Sequence, residues 1–128
     1  MKYVHIVAIL AVIQFFYFCF LVGRAREKYG IKAPAISGHE GFERAFRVQM
    51  NTLEQLICFL PALFIASLYW SPGFVAAVGF VYLIGRFLYG RAYIVDPGKR
   101  GLGFMLSMIP TAILLLAALV GALFRTAV

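Results

Sequence analysis

Charged residues are scarce in this sequence of 128 residues. Asp, Glu, Lys and Arg make up 13% of it, about half of the roughly 25% found in water-soluble domains. Hydrophobic residues make up 63%. A chain this short buries only a modest fraction of its surface when it folds alone, so it could not hide so much apolar surface from water. The scarcity of charge excludes an ordinary soluble domain and indicates that lipid surrounds much of the chain.

Acidic residues are especially few, with five Asp and Glu against twelve Lys and Arg, for a net charge of +7. An excess of basic residues can bind nucleic acid, anionic lipid or an anionic ligand. The charges alternate with apolar runs of membrane length, and no nucleic-acid-binding motif is recognisable. Nucleic acid is therefore excluded as a partner, whereas an anionic ligand and membrane lipid stay open.

Residues that could hold a metal or form a catalytic triad are also sparse. Cys19 and Cys58 lie in apolar runs without a partner at metal-ligand or redox spacing, and we expect both to be buried small hydrophobic side chains. His5 and His39 are predicted to lie on opposite sides of the membrane, so they cannot share a metal. No serine has a histidine and an acid in a recognisable motif. We expect no metal site.

Four long apolar segments, separated by turn-forming residues, predict the fold. A membrane helix needs roughly 20 consecutive apolar residues, and Pro and Gly mark the breaks between segments. The sequence predicts an all-α integral membrane protein, a four-helix bundle that forms a single domain over residues 1–128. The predicted helices span about residues 3–29, 40–70, 73–95 and 101–125.

Basic residues gather in or beside the first and third loops and are rare at the other end of the bundle, which has only Lys2 and Arg125. Loops rich in Lys and Arg remain in the cytoplasm. The sequence therefore predicts that loops one and three are cytoplasmic and that both termini lie on the opposite side.

Polar residues form stripes on two of the predicted helices. Arg47, Asn51 and Glu54 are spaced i, i+4, i+7 and share one helical face, which Arg44 is expected to extend. A second stripe on the third helix comprises Tyr82, Arg86, Tyr89 and Tyr93. Arginine binds carboxylates and glutamate binds an ammonium, so the stripes suit a zwitterionic or polyanionic small molecule. The alternative is a structural pair in which Glu54 neutralises Arg47 or Arg86.

Three segments resemble the membrane-associated proteins in eicosanoid and glutathione metabolism, the MAPEG family. They are REKYGIKAPAISG (26–38), FERAFRVQMNTLEQ (42–55) and GFVYLIGRFLYGRAYIVDPGKR (79–100). The resemblance covers nearly the whole chain, in the right order. It implies four-helix subunits that form a homotrimer, with glutathione held between neighbouring subunits at the cytoplasmic side.

The resemblance also implies a function and its residues. A glutathione transferase, with possible peroxidase activity, would join the glutathione thiolate to a hydrophobic electrophile or reduce a lipid hydroperoxide, as in detoxification. Arg100 matches the arginine beside the glutathione sulfur. Gln49 matches a contact across the subunit boundary, and Arg26 matches an arginine that reaches the peptide from the end of helix one. The other glutathione-binding positions are Arg47, Asn51, Glu54, Tyr89 and Tyr93.

Two positions depart from the leukotriene-forming branch of that family. Gln55 stands where that branch has a tyrosine, and Glu27 stands where it has a second arginine. The general transferase and peroxidase branch therefore fits better. A non-catalytic lipid-binding or scaffold protein of the same family is the alternative. A channel or transporter is disfavoured because no inverted repeat is evident.

Overall fold

The computed structural model of the protein describes residues 1–127, and four long α-helices account for most of them. The helices are α1 (Lys2–Tyr29), α2 (Glu40–Tyr69), α3 (Pro72–Val95) and α4 (Gly101–Phe124), with a short 3-10 helix at Pro97–Lys99. Each of the four is long and apolar enough to cross a membrane. The predicted all-α, four-helix membrane bundle is confirmed, with boundaries within two residues of those expected. That residues 1–128 form a single domain stays a prediction.

Local hydrogen bonds set where the helices begin and end. Gly30 adopts the left-handed conformation (φ 68°) that ends α1, where a residue without Cβ is favoured. His39 begins α2, since its Nδ1 accepts a hydrogen bond from the Gly41 N–H at 2.9 Å. The His39 ring also stacks on Tyr29, with 3.8 Å between ring centroids. His39 therefore joins the end of α1 to the start of α2 across the first loop.

The α2–α3 pair is the centre of the bundle, because α1 and α4 both pack against it and scarcely contact each other. Its buried side chains include Phe59, Leu63 and Val75, which are fully shielded. Large apolar side chains cover much of the outer surface, as expected where lipid or a neighbouring subunit is the contact. Cys58 is exposed on that surface and Cys19 is half-buried. The prediction that both cysteines are buried was wrong for Cys58, because the bundle turns that part of α2 outward.

Glycines allow α3 and α4 to pack backbone to backbone. A Cβ added to Gly103 would lie 2.2 Å from the backbone nitrogen of Tyr89, and one added to Gly85 would lie 2.5 Å from the carbonyl carbon of Leu106. Small residues at such crossings permit close helix approach in membranes. The contact holds the carboxyl half of α3 against the start of α4, and so places Tyr89 near the turn that carries Arg100.

This close approach predicts that Gly103→Ala destabilises the bundle. The added methyl group would overlap backbone rather than a mobile side chain, and overpacking of this kind costs about 1–3 kcal/mol. We expect a lower midpoint of thermal unfolding in detergent. Gly101→Ala is the matched control, since a Cβ there meets nothing within 4 Å. Equal stability of the two variants would contradict the backbone contact.

Candidate functional site

A pocket of about 660 Å³ opens where α1 and α3 end and where α2 and α4 begin. This volume lies within the roughly 300–1,000 Å³ range of small-molecule sites. Most of its wall comes from the first half of α2, with one side from α3 and the rest from the first and third loops. The lining residues are Ile36, Ser37, Glu43, Phe46, Arg47, Met50, Asn51, Glu54, Tyr89, Tyr93 and Arg100.

Six of the eight predicted site residues line this pocket. They come together because spacings of three, four and seven residues return to one face of a helix with 3.6 residues per turn, and because the α3–α4 contact brings the third loop alongside. The six are Arg47, Asn51, Glu54, Tyr89, Tyr93 and Arg100. Their individual roles remain predictions.

Arg26 and Gln49 lie outside the pocket. Arg26 Nη1 donates a hydrogen bond to the Ala35 carbonyl at 2.7 Å, and its guanidinium carbon lies 4.8 Å from the centre of the Phe42 ring. Gln49 Nε2 lies 3.1 Å from the sulfur of Cys19, at hydrogen-bonding distance. Both side chains therefore serve the contacts of their own chain on the other side of α2.

Charges of both signs line the pocket without neutralising each other. Among residues 1–127 the only salt bridge joins Arg44 to Glu40, outside the pocket. Arg100 Nη1 donates to the carbonyl of Pro97 at 2.7 Å. Glu54 and Arg47 form no ion pair within the described part of the chain. The structural pairing of Glu54 with Arg47 is thus not formed, and both groups can meet a ligand.

Asn51 provides a polar atom that lacks a partner within residues 1–127. Its Oδ1 is buried and accepts no hydrogen bond there. Burying an amide oxygen without a donor is unfavourable. Asn51 itself lines the pocket, so its amide group lies beside the space a ligand would fill.

Several lining residues were not anticipated from the sequence. Glu43 lies one turn before Arg47 on the same face, and its Oε2 accepts a hydrogen bond from the Gly38 N–H at 3.3 Å, which holds the first loop over the pocket. Its i−4 spacing from Arg47 was the available signal. Phe46 and Met50 add an apolar wall, which the polar pattern alone did not reveal.

Arg44 does not extend the polar stripe, so that prediction was wrong. Its Nη1 donates to the carbonyls of Ile94 at 3.2 Å and Val95 at 3.0 Å, and its Nη2 pairs with Glu40. The last carbonyls of a helix have no partner within that helix. Arg44 therefore caps the end of α3, where free acceptors are closer than the pocket.

Arg86 is fully buried beneath the pocket and has no carboxylate partner within the described chain. The alternative pairing with Glu54 is therefore not formed. Arg86 Nη2 donates to Thr52 Oγ1 at 2.8 Å, and Nη1 lies 3.5 Å from Ser107 Oγ. Its guanidinium carbon lies 4.3 Å from the centre of the Tyr89 ring, a cation–π contact. One cation thus touches α2, α4 and a pocket-lining tyrosine.

The two hydroxyls have further partners of their own. Thr52 Oγ1 donates to the carbonyl of Val48 at 2.7 Å, and Ser107 Oγ donates to the carbonyl of Gly103 at 2.8 Å. Each hydroxyl can therefore direct its proton to a carbonyl and its lone pairs to Arg86. Hydroxyl oxygens meet Nη1 and Nη2 and an aromatic ring covers the guanidinium, in place of a carboxylate, while Nε has no partner within residues 1–127.

No group of three or more His, Cys, Asp or Glu within residues 1–127 is placed to hold a metal ion. The fold and the pocket together define a multi-pass membrane protein. The pocket, whose lining carries charges of both signs, lies at one end of the helical bundle.

Comparison with known proteins places the chain in a family. The sequence model of the MAPEG family matches residues 4–120, and the chain belongs to this family, as its resemblance predicted. Human (Homo sapiens) microsomal glutathione S-transferase 2 is 42% identical over 117 residues, which cover 91% of this chain and 78% of that protein. The family thus has a glutathione transferase among its members.

Two further relatives show the breadth of the match. An uncharacterised protein of Synechocystis is 47% identical over 104 residues, covering 81% of this chain and 76% of that protein. Leukotriene C4 synthase of Cavia porcellus is 37% identical over 87 residues, covering 68% of this chain and 58% of that protein.

The solvation of Arg86 predicts unequal effects of two substitutions. Thr52→Val removes the shorter hydrogen bond from a buried cation, and leaving such a group short of an acceptor costs about 1–3 kcal/mol. Arg86→Met removes the cation itself and leaves both hydroxyls bonded to carbonyls, so stability should change less, as when buried charges are replaced by apolar groups. Thermal unfolding in detergent measures both.

The double variant provides the control, because Thr52→Val should cost little once Arg86 is Met. A larger loss of stability in Arg86→Met than in Thr52→Val would instead mean that the contacts of Arg86 are a net support of the bundle.

Proposed function

We propose that this protein is a membrane-bound glutathione transferase that joins the glutathione thiolate to hydrophobic electrophiles. The observation that carries the proposal is that one pocket collects unneutralised guanidinium, carboxylate, amide and phenol groups beside apolar side chains. Membership of a family that includes a glutathione S-transferase supports the choice of thiol.

Glutathione is a peptide with two carboxylates, one ammonium and one thiol, and the pocket offers a complement for each. Arg47 suits a carboxylate, which a guanidinium can bind through two parallel hydrogen bonds. Glu54 suits the ammonium. The amide of Asn51, which lines the pocket, suits a peptide group. The hydroxyls of Tyr89 and Tyr93 complete the polar wall.

Arg100 is the proposed catalytic residue. A thiol has a pKa of about 8.5 in water, so at neutral pH most of it is protonated, whereas the thiolate is the nucleophile. A fixed guanidinium beside the sulfur stabilises the thiolate, and each unit by which the thiol pKa falls corresponds to about 1.4 kcal/mol. The thiolate then attacks the electrophilic carbon, a C–S bond forms, and the leaving group departs with its electron pair.

The second substrate is proposed to come from the bilayer. Phe46 and Met50 bring apolar surface into the same pocket as the charged groups. A hydrophobic electrophile dissolved in lipid could therefore reach the thiol without crossing water. If loops one and three are cytoplasmic, as their charge predicts, the pocket opens toward the compartment that supplies glutathione.

A homotrimer is part of the proposal. Arg26 and Gln49 match family positions that contact glutathione, yet neither lines the pocket of its own chain. Gln49 of α2 contacts Cys19 of α1, and Arg26 of α1 contacts Phe42 of α2, so both lie where α1 meets α2. A neighbouring subunit could bring its pocket to these residues.

Arg100→Ala should slow conjugation of glutathione to a chromogenic aryl halide by about tenfold or more, since one unit of thiol pKa changes the thiolate fraction tenfold. Glutathione binding and thermal stability should change little. Lys99→Ala is the matched control, because Lys99 is the adjacent exposed cation but does not line the pocket. Rates are measured on purified protein in detergent.

The outcome discriminates among functions. Equal rates for wild type and Arg100→Ala would refute the role of Arg100. If folded wild type binds glutathione but conjugates nothing, reduction of a lipid hydroperoxide by the same thiolate becomes the next assay. No binding of glutathione at all would favour the non-catalytic lipid-binding member of the family.

Glu54→Gln should weaken glutathione binding by removing the negative charge proposed to meet the ammonium. Calorimetry would show a weaker affinity, by roughly tenfold for the loss of a charge-assisted hydrogen bond. Glu27→Gln, which also removes an exposed carboxylate but lies outside the pocket, should bind normally. Unchanged binding by Glu54→Gln together with lost stability would make Glu54 a structural residue.

Mixed assemblies test the trimer. The substitutions Arg100→Ala and Gln49→Ala fall on opposite sides of the proposed boundary between neighbouring subunits. Co-assembly would leave some boundaries with both wild-type residues, so mixed samples should exceed the mean activity of the two parents. Activity equal to that mean, or a monomeric mass in detergent, would count against the shared site.

A further inference from the structure

A groove between α1 and α3 is separate from the pocket and shares no lining residue with it. It consists of two adjoining hollows of about 250 and 260 Å³, which have Leu21 and Ile94 in common, and Gly41 and Ala45 of α2 close the outer one. The hollow deeper in the bundle is lined by Tyr17, Phe18, Leu21, Phe87, Gly90, Arg91, Ile94 and Val95. The groove thus runs from an apolar, aromatic section toward the ends of both helices.

Cations alone supply the charge of this groove. Arg24 and Lys28 line the outer hollow and Arg91 lines the inner one, whereas no Asp or Glu lines either. Within residues 1–127 these three side chains form no salt bridge. Glu27 is exposed on the same end of α1 and contributes to neither hollow.

The position of these cations fits a membrane boundary. Arg24 and Lys28 lie near the end of α1, and Arg91 lies one turn before the end of α3; both helices end on the same side of the bundle. The apolar section extends from there toward the bilayer centre. From residue 24 back to residue 17 an α-helix spans about 10 Å, which is comparable with the upper part of an acyl chain.

The charge composition distinguishes the groove from the pocket. The pocket has Glu43 and Glu54 beside its arginines, and so suits a ligand that carries an ammonium. The groove has no carboxylate for an ammonium or choline group, so its complement is a group with negative charge only. An apolar section joined to three cations matches a molecule with an anionic head and a hydrocarbon tail.

We propose that this groove binds one anionic phospholipid. The headgroup phosphate lies among Arg24, Lys28 and Arg91, and one acyl chain lies between α1 and α3 along Tyr17, Phe18 and Phe87. Basic residues at the membrane surface attract anionic lipid electrostatically. The proposal does not depend on glutathione chemistry.

The test compares phosphatidylglycerol with phosphatidylcholine of identical acyl chains on the purified protein in neutral detergent. Native mass spectrometry and thermal unfolding both measure binding. We expect phosphatidylglycerol to bind at least tenfold more tightly than phosphatidylcholine. The triple variant Arg24→Gln, Lys28→Gln, Arg91→Gln should lose that preference while it still binds glutathione.

Two further variants keep the result specific. Lys2→Gln, Lys32→Gln, Lys99→Gln removes the same number of charges away from the groove and should retain the preference. Ile94→Trp keeps all three cations but fills the section shared by the two hollows, so it should bind phosphatidylglycerol less well. This variant also decides the matter if the cation triple variant does not fold.

Four results would overturn the proposal. The first two are equal binding of the two lipids and an equal loss of the lipid preference in the control triple variant. The other two are unchanged phosphatidylglycerol binding in Ile94→Trp, and protection from thermal unfolding by inorganic phosphate that is as strong as protection by phosphatidylglycerol. The last would mean that the cations bind a free anion. Lost glutathione binding in every variant would concern the proposed function, not the groove, so the two failures are distinguishable.

Discussion

The buried guanidinium of Arg86 constrains the rest of the bundle. A cation inside a membrane protein is costly unless polar groups surround it. Here a threonine on α2, a serine on α4 and the face of Tyr89 supply that surrounding. Meeting all three contacts fixes how these helices sit against one another directly below the pocket. The contacts of Arg86 therefore set the helix positions beneath the pocket. The charged side chains of the pocket do not have to pair with each other to hold the helices together.

Two kinds of polar surface follow from where carboxylates are placed. Along the first half of α2, Glu43 and Glu54 share a face with Arg47, and the pocket there complements a zwitterion. On the α1–α3 side the acidic partners are missing from the lining, and the surface complements an anion with a hydrocarbon tail. A chain with few acidic residues can therefore offer two different ligand surfaces through the distribution of those few.

The fold could be predicted from the sequence because membrane helices are recognisable by their length and hydropathy. The helix-breaking residues Asp96-Pro97-Gly98 also fall where α3 ends. The sequence also predicted six pocket residues, since regular spacing puts side chains on one helical face. The prediction for Arg44 was wrong because the partner of a long side chain depends on the folded structure. The unpaired carbonyls at the end of α3 lie within its reach. The sequence did not decide whether Arg86 pairs with Glu54. Hydroxyl groups on two other helices contact the cation, and a linear pattern does not identify them as its partners. Exposure of Cys58 depends on helix rotation, which an almost uniformly apolar segment does not specify.

The glycine contact between α3 and α4 determines which parts of the site can move. Because Gly103 and Gly85 let backbone touch backbone, no side chain separates α3 from α4 at these two points. The contact therefore keeps Tyr89 close to the turn that bears Arg100. The first loop, which the Glu43 hydrogen bond holds over the pocket, is then the wall that helix packing does not fix. Entry from the loop side would break one exposed hydrogen bond, whereas entry between α3 and α4 would require two backbones in contact to separate.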